Sequence, residues 1–355
     1  MKINVRMQKC LPMLLLIGLS LAVAWHTPAF GETSQNEIQV GTQEEAKIET
    51  GFYYTVKKGD TLWDISQRFN DTPWQWPELW KENDQLPNPH WIYPGERIRL
   101  YKKSDADQQQ VAAPTVTPEV SATQEAGPEV NFYYGRMDRI GFIRKPPVQE
   151  VGFIFSVLNN KQLVSAGDVV YIRPPESGSV VDFAPGTRFT VFRKLKPTKE
   201  RKSDKTIGTQ HYLLGLVEVT QNESEYAIAK VIEAFRAIEP GDLLMAYKQR
   251  PQEILVTKST PGIHGTLIGT EDHNELIGTN MVAFIDKGEV DNIRVGQEYK
   301  IYTQETKKGS DGKKLLLAPV DTGALIVLRT EKTTSTVYIT QTYASIFPGQ
   351  QIRTP

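Results

Sequence analysis

Five of the six tryptophans stand between positions 63 and 91: Trp63, Trp74, Trp76, Trp80 and Trp91. An indole offers a flat apolar face and one N–H donor, so it serves equally for packing a core and for stacking on a half-apolar ring. Trp76 and Trp80 share a helical face with Leu79 and are expected in a core. Trp63 falls off the stripe formed by Leu62, Ile65 and Phe69, and Trp91 lies in a loop, so these two are candidates for contact with a sugar or a protein. Covalent chemistry finds less support. Cys10 is the only cysteine, and the scattered His90, His211, His264 and His273 form no H-E-x-x-H pair for zinc. His90 reads as a loop hydrogen-bonding residue. The run Glu271-Asp272-His273-Asn274-Glu275 is polar enough for a cation but lacks a calcium-loop turn pattern, and it reads as a solvated loop. Carboxylate pairs for glycoside hydrolysis depend on the fold, and nothing in the spacing argues for them. We therefore expect a non-enzyme without metal or cofactor.

The elements that would position the tryptophans are legible from turns and caps. The run Phe52 to Val56 reads as a strand, Gly59-Asp60 as a turn, and Thr61-Leu62-Trp63-Asp64 as the capped start of a helix. A second helix starts at Pro77 and ends at Asn83. Tyr93-Pro94-Gly95-Glu96 places proline and glycine as a type II turn requires, and the alternation from Arg97 to Tyr101 closes a βααβ unit.

At 355 residues the chain has room for two or three domains. Residues 1–31 read as a secretory signal: Lys2, Arg6 and Lys9 precede an apolar run from Leu11 to Val23, and Ala29-Phe30-Gly31 offers small residues for cleavage. The run is too short to span a bilayer, so the mature chain is expected to carry no transmembrane segment. Cys10 precedes this run, where it cannot take a lipid anchor, and its removal excludes disulfides and cysteine nucleophiles from the exported form. The whole chain has 41 Lys and Arg against 42 Asp and Glu, and loss of the three signal residues leaves 38 against 42, a net charge of −4. That balance gives no reason to propose a nucleic acid partner. Residues 32–51 form a polar linker, and 102–130 a Pro, Gln and Ala-rich one that reads as a tether.

From 131 to 355, short apolar or alternating runs bounded by glycine and proline recur, and the region reads as mostly β. It also repeats. Gly215-Leu216-Val217-Glu218-Val219 leads to Pro240-Gly241, as Gly323-Ala324-Leu325-Ile326-Val327 leads to Pro348-Gly349, with 26 residues from first to last glycine in each. Gly186 to Phe192 matches Gly296 to Tyr302 in the same way, so two related β units are expected near 151–247 and 282–355. Both carry lysine-rich hairpin loops, Arg193 to Lys202 and Lys307 to Lys314, which read either as solvated loops or as contacts for an acidic partner or membrane surface.

The stretch 52–101 resembles a LysM module over its whole length, and with the β-rich remainder this gives an α+β fold. The resemblance implies a shallow groove for N-acetylglucosamine-containing chains such as peptidoglycan. Carried over residue by residue, one wall is Gly59, Asp60, Thr61 and Leu62, and the other is Asn88, Pro89, His90, Trp91 and Ile92. Backbone amides and carbonyls would pair with the acetamido group while an aromatic face covers the sugar. The pattern Trp74-Gln75-Trp76-Pro77-Glu78-Leu79-Trp80, then Asn88-Pro89-His90-Trp91-Ile92-Tyr93-Pro94-Gly95, followed by a linker and a β-rich region, further resembles the secretin-associated LysM proteins of type IV pilus systems. That resemblance implies a periplasmic, wall-associated adaptor with an outer-membrane secretin or a related envelope machine as partner. A plain structural wall protein and a LysM-targeted glycan-cleaving enzyme are the alternatives.

Overall fold

The computed structural model describes residues 49–100, 129–175, 183–199, 206–308 and 313–355. The signal reading of 1–31 and almost all of both linkers lie outside the described residues. The described residues are mostly β, with both α-helices in the module and single 3-10 turns elsewhere, as at Met137–Arg139, Leu158–Asn160 and Glu289–Asp291. Strand β1 (Gly51–Thr55) leads to helix α1 (Leu62–Asn70), a 3-10 turn at Pro73–Gln75, helix α2 (Trp76–Lys81) and strand β2 (Arg97–Leu100). Thr61 caps α1 as its sequence predicts, its hydroxyl accepting from the Asp64 amide at 3.1 Å and donating to the Asp64 carboxylate at 2.6 Å. Leu62 and Ile65 point inward, and Asn83 closes α2 by donating to Leu79 O at 2.6 Å.

This βααβ unit does not stand apart. β1 pairs on one side with β2 and on the other with β3 (Val130–Tyr133), which in turn pairs with β11 (Glu253–Leu255). The alternation of β1 explains the need for this second neighbour: Phe52 and Tyr54 face a core that includes Phe132, Ile254, Ile326, Leu328 and Tyr338 as well as Leu62, Ile65 and Leu79. Phe132 rests against Phe52 at 4.9 Å and Tyr338 at 5.5 Å between ring centroids. Where the sequence reads as a tethered module, the described residues therefore place it on a shared sheet and a shared core.

The rest of the chain builds two barrels of one design. The first comprises β5 (Gly152–Val157), β6 (Val169–Arg173), β7 (Arg188–Lys199), β8 (Thr206–Asn222), β9 (Ala227–Ala234) and β10 (Leu243–Ala246). The second comprises β12 (His264–Thr270), β13 (Val282–Ile285), β14 (Glu298–Thr303), β17 (Val320–Thr330), β18 (Ser335–Thr342) and β19 (Gln351–Arg353), with a small hairpin of β15 (Thr306–Lys308) and β16 (Lys314–Leu316) inserted. Around the first ring the order is β5-β6-β9-β8-β7-β10, all antiparallel and closing on β5. The second ring runs β12-β13-β18-β17-β14-β19 and closes on β12, strand for strand the same order. The irregularities match too: register shifts at Ile154/Ser156, Val191/Phe192, Leu216/Val217 and Val219/Gln221 reappear at Leu267/Gly269, Ile301/Tyr302, Ala324/Leu325 and Val327/Arg329. Bulges bend strands where a small barrel must turn its corners, so their recurrence marks one design used twice. Equivalent turn glycines also agree in φ, 85° at Gly186 and 88° at Gly296, then 97° at Gly241 and 93° at Gly349.

On β17, Leu325 and Val327 fill the barrel while Ile326 and Leu328 cover the core beneath the module. The continuous apolar run is that of a strand buried on both faces. The two barrels are joined through β4 (Phe142–Arg144), which pairs with β8 while the Thr336 hydroxyl of β18 donates to Gly141 O at 2.9 Å. A stack crosses the same place: the Arg329 guanidinium lies 3.5 Å from the centre of the Phe142 ring, and Phe142 lies flat on His211 at 4.4 Å with planes 1° apart. His211 Nε2 accepts from the Val148 amide at 2.9 Å.

Burial pushes His211 down to about 4, against the opposite pull of the Phe142 and Thr209 carbonyls. A histidine held below its unfolded value of 6.5 must stay neutral to remain folded, so stability falls as pH drops from about 6.5 towards 4. We expect His211→Phe to cost about 1 kcal/mol at neutral pH, through the stranded Val148 amide. It should abolish an acid-dependent loss on the order of 3 kcal/mol. Urea unfolding curves of the two proteins should then cross as pH falls below about 6; parallel curves would rule His211 out as the sensitive group.

Two sequence expectations need correction here. Glu271 is no solvated loop residue: it is buried, accepts from the Gly141 amide at 2.8 Å and pairs with Arg236 at 3.2 Å. Burial pushes its carboxyl up, and Arg236 and the amide pull it back. In the first basic run, Arg193 is paired with Asp242 and Glu239 and Lys194 with Glu150, so neither charge is presented freely to a partner. Residues 200–205 and 309–312, and the side chains of Pro197 and Lys199, lie outside what the structure describes.

Candidate glycan-binding groove

Two turns meet at the end of β1 to make the groove. The first runs through Gly59, whose φ of 94° lies in the left-handed region that glycine enters without steric cost. Asp60 then folds back: its carboxylate accepts from the Tyr54 hydroxyl at 2.7 Å and the Lys57 amide at 2.8 Å, with Arg68 3.6 Å away. Burial alone would raise the Asp60 carboxyl, but these hydrogen bonds and the guanidinium outweigh it and hold it below the usual range. The charge of Asp60 is thus engaged in shaping the turn.

The second turn is built by asparagine and proline. Asn88 Oδ1 accepts from the His90 amide at 2.9 Å, and its carbonyl accepts from the Trp91 amide at 3.1 Å. The turn from Tyr93 to Glu96 is pinned to the strand by Gly95 N donating to Val56 O at 2.9 Å and Val56 N donating to Glu96 O at 2.8 Å. The end of β1 thus anchors both sides, the first turn through Tyr54 and Lys57 and the loop that follows the second through Val56.

Between them lies a cavity of about 360 Å³ lined by Asp60, Thr61, Leu62, Trp63, Trp76, Pro89, His90 and Ile92. Six of the nine residues carried over from sequence meet here. Gly59 and Asn88 stand behind the lining as turn formers, and Trp91 projects outward, 65% exposed. With the Thr61 side chain used as a cap and the Asp60 carboxylate bonded internally, what this wall offers a ligand is largely backbone. Trp76, read from sequence as core alone, packs on the core with one part and lines the cavity with another, its ring 6.2 Å from that of His90. Such a cleft, aromatic and with its one carboxylate, Asp60, already bonded within its own turn, suits a neutral ring bearing an amide.

A second cavity of about 400 Å³ lies between the module and the second barrel. Its arginine, Arg99, is already bonded to Glu49 and to Thr50 O. Among the described residues no group of three or more His, Cys, Asp or Glu is placed to hold a metal ion, and no helix is long and apolar enough to cross a membrane.

This geometry is that of a known class of binding module. Residues 54–100 match the LysM domain family, which implies binding to peptidoglycan or a related glycan. The chain is also similar to the uncharacterized protein YqbP of Bacillus subtilis (strain 168), 39% identical over 57 residues. That match takes in 13% of this chain, and the chain spans about a quarter, 26%, of the relative's length.

Proposed function

We propose that this chain is an exported, non-catalytic adaptor of the periplasm that holds an envelope machine to the cell wall. The LysM groove grips N-acetylglucosamine-containing glycan, and the two barrels present a surface to the machine, with the outer-membrane secretin of a type IV pilus-like system as the first candidate. The observation that carries the wall-binding half is the meeting of the two turns around one aromatic cavity whose carboxylate, Asp60, is engaged within its own turn. The adaptor half is supported by the division of labour between a sugar module and a much larger paired β region.

Because the groove offers backbone groups and aromatic faces, its hold on the wall should be nearly independent of ionic strength. The full chain is expected to pellet with insoluble peptidoglycan equally at low and high salt. Release by moderate salt would mean that surface charge, not the groove, does the binding. Retention of a purified secretin on the immobilised chain tests the other half, and its failure would leave a wall-bound structural protein.

A further inference from the structure

Trp74 and Trp63 form an exposed pair beside the groove. Their rings meet edge to face at 4.8 Å, with Trp74 74% and Trp63 41% exposed. Two large indoles so open to water are costly unless a ligand covers them. They are also held in place. The 3-10 turn that carries Trp74 begins at Pro73, and the Ser66 hydroxyl of α1 donates to Thr72 O at 2.8 Å, fixing the turn against the helix that carries Trp63. Trp63 belongs to both surfaces, since it lines the cavity while Trp74 does not. The pair therefore continues the groove outward as one uncharged aromatic surface.

We propose that Trp74, braced by Trp63, is an added stacking subsite for a sugar ring beyond those held in the groove. The occupant follows from continuity: a chain seated in the groove and leaving past Trp63 meets the Trp74 indole next, and an indole face covers the apolar side of a pyranose. This rests on the groove being the glycan site.

The test is calorimetric titration of the full chain with N-acetylglucosamine oligomers from the disaccharide upward. The natural protein should gain affinity with length, and Trp74→Ala should remove about five- to tenfold of that gain for the longer oligomers while leaving the disaccharide unchanged. Trp74→Tyr should keep most of the gain, and circular dichroism should be the same for all three. If Trp74→Ala matches the natural protein at every length, the subsite is overturned and the groove stands. An equal loss for disaccharide and long oligomers also overturns it, placing Trp74 in the primary site. If the natural protein binds no oligomer, the groove reading fails and the subsite with it.

Discussion

Phe132→Ala should destabilise the LysM module by about 3–5 kcal/mol although Phe132 lies outside the residues that define the module. The ring is 1% exposed and sits between Phe52 of β1 and Tyr338 of β18. Its truncation leaves a cavity that neither side can close, because β1, β3 and the wall of the second barrel are each fixed by their own ladders. The measurement is convenient, since the five tryptophans among the described residues all lie from Trp63 to Trp91 and report on the module, while far-ultraviolet dichroism is dominated by the barrels. In urea both signals should shift together to a lower midpoint. A shift in tryptophan emission with an unmoved barrel transition would show the module and barrel to be energetically separate. By the same reasoning, the segment 51–101 alone exposes Phe52 and Leu100 and should be less stable than the same residues within the chain.

The second large effect tests the duplicated design. Gly215 and Gly323 occupy the same place in their barrels, and each sits where a second strand crosses too closely for a side chain. A Cβ at Gly215 would lie 2.5 Å from Glu233 O and 2.8 Å from Ile238 Cδ1; at Gly323 it would lie 2.6 Å from Gln341 O and 2.7 Å from Ile346 Cδ1. Backbone carbonyls of a closed ladder cannot retreat, so Gly215→Val and Gly323→Val should each cost on the order of 2–4 kcal/mol. Gly269→Ala, whose added methyl group meets nothing within 4 Å, serves as the control and should stay within about 0.5 kcal/mol. Thermal unfolding of the three variants decides the matter: a tolerated valine at either glycine would show that the barrel flexes at this crossing.

What the sequence discloses here is chiefly what is local. The cap at Thr61, the helix from Leu62, the turn closed by Glu96 N donating to Tyr93 O, and the short β runs depend on residues a few positions apart. Turn glycines carry the repeat, because a left-handed residue must recur where the chain path recurs. Long-range partnership leaves no such mark. Val130-Asn131-Phe132-Tyr133 is short, follows a low-complexity segment and gives no sign that it lies beside a strand starting at Gly51. The run Ala324 to Leu328 shows that both faces of its strand are covered but not that one cover is the module. Glu271 reads as polar because its sequence neighbours are polar, while its burial depends on Arg236 and Gly141. In the groove, turn chemistry marked the loops and the resemblance to LysM modules marked them as walls, whereas Trp74 carried no local signal beyond its type. The sign of its role is exposure, a property of the folded surface.

The pairing of β1 with β3 also bears on how the chain would carry force. Residues 101–128 connect Leu100 to Glu129, and pulled taut a chain of that length reaches roughly 95 Å. A module hung on such a chain would drift that far before any tension reached the barrels. Here the registered pairs Gly51–Tyr133, Phe52–Phe132, Tyr53–Asn131 and Tyr54–Val130 take the load first, side by side, with an aromatic cluster locked beneath them. Movement of whatever the groove holds is therefore passed to the barrels at once, as through a rivet rather than a rope.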